Sequence, residues 1–111
     1  MAYDEELAGR IRALVAGEPN LSEKTMFGGL AFLVRGNLAV AASGQGGLLV
    51  RVDPADSDAL VAGSNARPME MRGREMAGWL RVDAADVEND ADLERWIAIG
   101  TAYARSLPAK G

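Results

Sequence analysis

From Thr25 to Val52 the chain alternates short apolar runs with glycine-bearing turns, and this pattern constrains the fold most. The runs are Thr25-Met26-Phe27, Leu30 to Val34, Leu38 to Ala42 and Leu48 to Val52. The breaks are Gly28-Gly29, Arg35-Gly36-Asn37 and Ser43 to Gly47. Runs of this length between turn residues predict an antiparallel meander. In Leu48-Leu49-Val50-Arg51-Val52, Arg51 is out of phase with Leu48, Val50 and Val52. One face of the sheet is therefore buried, and the other is wet or partly covered. A second hairpin follows, with Pro68 to Met71 and Met76 to Val82 bracketing Arg72-Gly73-Arg74. Alternation puts its Trp79 and Arg81 on the face opposite Leu80 and Val82.

Helical periodicity is confined to the ends and to one short connection. Tyr3, Leu7, Ile11, Leu14 and Val15 form a stripe behind Asp4, which can cap a helix, and Gly17 and Pro19 stop it. Asp53-Pro54-Ala55-Asp56 is a helix start, and that helix runs through Leu60 and Val61 to Gly63. The last helix opens at Asn89 or Asp90, carries the stripe Leu93, Trp96, Ile97, Gly100, Ala104 and Leu107, and closes at Pro108. Helix, four strands, short helix, two strands and long helix make an α+β chain. The expected sheet is antiparallel with five or six strands, a meander plus a hairpin, its apolar face covered by the terminal helices. A chain of 111 residues buries about 65% of its unfolded surface on folding, enough for one core. One domain over residues 1–108 is expected, with 109–111 a loose tail.

Composition excludes several chemistries. The chain has no cysteine and no histidine, which removes thiolate nucleophiles, the Cys and His ligand sets of zinc, and any Ser-His relay. Catalysis near neutral pH would fall to carboxylates, Lys24, Lys110, Tyr3 or Tyr103 with strongly shifted pKa values. An enzyme is not expected, and no cofactor or metal is called for. The opening MAYDEEL is acidic where a secretory signal is basic, and no apolar run approaches a membrane span; a cytoplasmic protein is expected. A sequence pI of about 4.8 argues against direct binding of nucleic acid, which needs a basic patch.

Each local motif has a plain structural account. Gly28-Gly29 lies between two strands and is not followed by a helix, so it fits a tight turn or bulge better than a phosphate cradle. Asp53, Asp56 and Asp58, like Asn89, Asp90 and Asp92, stand at helix starts, where acids are expected. Phe27, Phe32, Trp79 and Trp96 are expected to pack in the core. Arg67, Arg72 and Arg74, interleaved with Glu70 and Glu75, form the one local basic cluster. They read as a solvated hairpin edge or as a contact for a ligand or partner.

Three segments taken together point to a family. Met26-Phe27-Gly28-Gly29-Leu30-Ala31-Phe32, Gly73-Arg74-Glu75-Met76-Ala77-Gly78-Trp79, and Trp96 to Pro108 ending Ala102-Tyr103-Ala104-Arg105-Ser106-Leu107-Pro108 resemble the TfoX/Sxy N-terminal domain family. The opening residues are similar to those of its short, stand-alone members. The resemblance implies an antiparallel sheet with flanking helices of the secretion-chaperone-like type, and a link to regulators of natural competence. It supplies no catalytic residues. Met26, Phe27, Gly28, Gly29, Gly73, Gly78, Trp79 and Trp96 are its structural positions.

Two functions remain open on the sequence. One is a non-catalytic regulatory or interaction module that works through an unnamed protein partner. The other is a domain for a small anionic ligand, held bidentately by Arg51, Arg67, Arg72, Arg74 or Arg81. An exposed apolar patch favours the first, and an enclosed pocket with converging arginines favours the second. Leu30 to Val34 and Leu38 to Ala42 hardly alternate and need cover on both faces. Leu33, Ala39, Ala41 and Leu49 are then covered either by a symmetric second copy or by the second hairpin folding over them.

Overall fold

The computed structural model describes residues 3–26 and 28–109. Phe27, and Lys110 and Gly111 of the expected tail, lie outside the described residues. Helix α1 spans Glu5–Leu14, and strands β1 to β4 span Leu21–Met26, Gly29–Val34, Asn37–Ala42 and Leu48–Arg51. A 3-10 turn at Pro54–Asp56 leads into helix α2, Ser57–Ala62. Strands β5, Arg67–Met71, and β6, Arg74–Val82, are followed by a 3-10 turn at Ala84–Val87 and helix α3, Asp90–Ser106. The strands form one six-stranded antiparallel sheet in the order β1-β2-β3-β4-β6-β5. The α+β architecture expected from the sequence is the one observed.

The local signals act as their chemistry requires. The Asp4 carboxylate accepts from the Leu7 amide at 3.1 Å and opens α1, and the Asn89 side chain does the same for Ala91 at 2.7 Å ahead of α3. Arg72-Gly73, between β5 and β6, has φ of 56° and 79°. Both residues of this two-residue turn are left-handed, which matches the twist of a hairpin and favours glycine at the second position. β1 starts at Leu21, earlier than the apolar run at Thr25. Its Ser22, Glu23 and Lys24 are exposed on the sheet edge, so no hydrophobic pattern marks it, and those charges discourage pairing with another chain.

The main core lies between the sheet and the terminal helices. Phe32, Val40, Leu48, Val50, Leu80 and Val82 face Leu7, Ile11, Leu93, Trp96 and Ile97. Leu14, placed on the α1 stripe, is exposed, and Ala8 is buried in its stead, since the stripe follows the contact with the sheet. Gly100 brings α3 close to β3: a Cβ there would meet the carbonyl of Ala39 and the side chain of Val40.

The opposite face is also closed within the chain. Ala31, Leu33, Leu38, Ala41 and Leu49 form a second buried cluster, packed by Met26, Met69 and Trp79. Met26 and Met69 come from the two edge strands, yet they line one cavity of about 50 Å³. In a flat sheet those edges would stand about 24 Å apart, so the sheet is strongly coiled. Leu33, Ala41 and Leu49 therefore need no second copy to cover them. Ala39 is on the helix face, against Val34 and Ala104. The cause is a bulge: Phe32 pairs with Val40 and Leu33 with Leu38, leaving Ala39 as the extra residue. One inserted residue reverses the alternation read from the sequence.

Candidate functional site

The glycine pair of the β1–β2 turn serves the backbone. Gly28 has φ +77°, and a Cβ on Gly29 would strike the carbonyl of Ala42 and the amide of Gly44. The turn is thus pressed backbone to backbone on the β3–β4 loop. That loop is held from the other side by Arg81, which donates to Gln45 Oε1 at 3.0 Å and to the Gly46 carbonyl at 3.2 Å. Arg81 is committed to structure.

Three arginines adjacent in sequence do not come together. Arg67 pairs with Asp83 at the start of β5, while Arg72 sits in the hairpin turn and Arg74 opens β6. Five residues of extended chain separate Arg67 from Arg72, about 16 Å. The cavity beside the β3–β4 loop is lined by Arg81 and the cleft between α1 and α3 by Arg105, neither with a second arginine.

The outer face of the β5–β6 hairpin has a different character. Met69 pairs with Met76 across the strands, Met71 pairs with Arg74, and Glu70 pairs with Glu75. Alternation puts Met69, Met71, Met76 and Arg74 on one face and both glutamates on the reverse. Between Pro68 and Met69 the register jumps, so that β6 carries Ala77, Gly78 and Trp79 as extra residues. Gly78, at φ +85°, lies against the Val52 carbonyl and Pro54, and its own carbonyl accepts from the Val52 amide at 2.8 Å. This wide bulge brings Trp79 alongside the methionines. Met69, Met71, Met76 and Trp79 line an open groove of about 180 Å³ whose exposed lining is wholly apolar. Met71 is 38% exposed, one of two large hydrophobic side chains exposed to that degree among the described residues.

Trp79 connects this groove to an unusual cation. It pairs with Arg51 across β4 and β6. The Arg51 guanidinium carbon stands 4.6 Å from the Trp79 ring centre and 5.6 Å from that of Tyr103 on α3. Two aromatic faces supply attraction to the charge, but no carboxylate among the described residues does. The ion pairs among the described residues use Arg10, Arg12, Arg67 and Arg105. The Arg51 Nε is buried without a hydrogen-bond partner. Trp96, the other tryptophan, is buried in the main core at 7% exposure.

A family model described as the TfoX N-terminal domain matches residues 13–104, which covers β1 to β6 and nearly all of α3. The chain belongs to the TfoX N-terminal domain family. No curated protein and no solved structure matches it. For this TfoX N-terminal domain, the matched span includes Gly28, Gly29, Gly73, Gly78, Trp79 and Trp96, and also the methionine groove. Sequence reading assigned Trp79 to packing and gave the methionines no role. The available signal was the spacing Met69-x-Met71 and Met76 about a two-residue turn, which places three thioethers on one hairpin face. Among the described residues no group of His, Cys, Asp or Glu is arranged to hold a metal ion, and no helix is long and apolar enough to cross a membrane.

Proposed function

We propose that this TfoX N-terminal domain is a non-catalytic regulatory module that acts through protein contacts, with the outer face of the β5–β6 hairpin as its contact surface. The competence-regulator-like role suggested by the family supports the regulatory part of this reading. The observation that carries the contact surface is the open groove of Met69, Met71, Met76 and Trp79. Methionine is flexible and polarizable, so a methionine-lined surface can repack around varied apolar side chains. The small-anion reading has less support, because Arg67 is paired with Asp83 and Arg81 with the β3–β4 loop. The lack of histidine and cysteine supports a non-catalytic role.

The test is genetic. A deletion strain complemented with Met71→Ser/Met76→Ser is compared with one carrying the unmodified protein, by transcript and protein profiles. The variant is expected to melt like the unmodified protein and to fail to restore the profile. Full restoration would overturn the proposal.

A further inference from the structure

The charges around the methionine groove identify the kind of partner it suits. This inference rests on the docking reading above. The chain carries a formal charge of −4, yet the groove is bordered by arginines. Arg74 stands across from Met71 on the groove face, and Arg51 stacks on Trp79, which is itself part of the groove wall. The acids of the hairpin, Glu70 and Glu75, are paired across the strands on the reverse face. Like charges directly opposite each other are unfavourable, so this arrangement is not the one that best stabilises the hairpin. It does leave the groove face basic.

Arg51 is the sharpest observation. Arg51 is half-buried, and its Nε is shut off from water with no acceptor, which is costly for a polar group. Trp79 and Tyr103 both lie within cation–π range of its guanidinium and restrain it. A cation that is already ordered loses little side-chain entropy when an anion arrives. The rest of the acidic surface repels an acidic ligand, so attraction at this one face supplies selectivity and orientation.

We infer that the groove formed by Met69, Met71, Met76 and Trp79 binds a short acidic segment of a partner protein, with aliphatic side chains among the methionines and carboxylates on Arg51 and Arg74. The apolar contacts supply affinity through buried area, and the carboxylates set register.

The experiment is selection from a random short-peptide display library on the immobilised full chain, in parallel on Met71→Ser/Met76→Ser and on Arg51→Gln/Arg74→Gln. Thermal melting by circular dichroism verifies that each variant is folded. The expected result is enrichment of peptides that place Asp or Glu beside Leu, Ile or Met. The best of these, synthesised, should bind Arg51→Gln/Arg74→Gln about tenfold more weakly, and should weaken as salt is raised. Arg74→Gln alone, on the exposed hairpin, should give part of that loss without any change in melting. Enriched peptides that are neutral or basic, or that bind the arginine variant equally well, would overturn the acidic partner and leave the docking face standing. No enrichment over the methionine variant would overturn the docking face as well.

Discussion

Replacing Gly100 with alanine sets helix propensity against packing, and the structure decides the sign. In an exposed helix, Gly→Ala gains about 1 kcal/mol. At Gly100 the added Cβ would lie 2.4 Å from the Ala39 carbonyl oxygen and 3.0 Å from Val40 Cγ1. A comfortable carbon–oxygen approach is about 3.4 Å, so α3 must lift from β3 by about 1 Å. A gap of that size forfeits a quarter to a half of each dispersion contact beneath it, and the neighbours affected include Trp96, Ile97, Thr101 and Ala104. The obstacle is backbone, held in the β3 bulge, and cannot rotate away. Overpacking of this kind costs about 2–3 kcal/mol, which leaves a net loss of about 1–2 kcal/mol after the propensity gain. At about 4 °C per kcal/mol for a domain of this size, Gly100→Ala should melt about 4–8 °C lower. Gly9 in α1 is the control, because a Cβ there meets nothing within 4 Å; Gly9→Ala should melt about 2–4 °C higher. Both shifts are read by calorimetry at one pH. If Gly100→Ala melts at or above the unmodified protein, the close approach of α3 to the sheet is wrong.

Three other outcomes follow from the same geometry. Ala41 is 5% exposed within the second cluster, so Ala41→Glu should lose about 3 kcal/mol or more in urea unfolding, while the unmodified protein sediments as one species near 11.7 kDa; a folded variant that merely splits a dimer would contradict in-chain cover. The Arg12 guanidinium, hydrogen-bonded to Glu23 at 2.8 and 2.9 Å, holds that carboxyl below its ordinary 4.5. A depressed carboxylate pKa gives stability that is present above the unfolded value and is lost as pH falls through the folded one. The effect is small for an exposed pair, so the check is a carbon-13 titration of Glu23, expected to return toward 4.5 in Arg12→Gln. Duplex DNA should show no shift in gel mobility at physiological salt, given the acidic pI; sub-micromolar binding would contradict this.

The elements were legible where local chemistry fixes them. Asp4 and Asn89 as caps, a hairpin turn about Gly73, and the stripe of α3 all depend on residues within a few positions of one another, although β6 begins at Arg74, two residues before the apolar run at Met76. What sequence reading missed is non-local. The bulge at Ala39 moved one residue to the other face and could not be seen from the alternation of β3, because the pairing that creates it lies on β2. The coiling that lets Met26 and Met69 share a cavity depends on the whole sheet. The site was harder still. Arg67 is close to Arg72 and Arg74 in sequence but stands at the far end of β5, paired with Asp83, whereas Arg51, Trp79 and Tyr103 are distant in sequence and come together. Trp79 read as a core residue because burial and recognition use the same side chains. Only its position beside an unpaired arginine and three methionines distinguishes the two.

The central claim is that the outer face of the β5–β6 hairpin is where this protein meets a partner. The most direct measurement places a photo-crosslinking amino acid at position 71 in the groove, or at the exposed position 58 on α2, in the full chain within its native cell. Discrete protein adducts are predicted from position 71, reduced when Arg51→Gln is added, with none from position 58. The same adducts from both positions, or adducts from position 58 alone, would contradict the account.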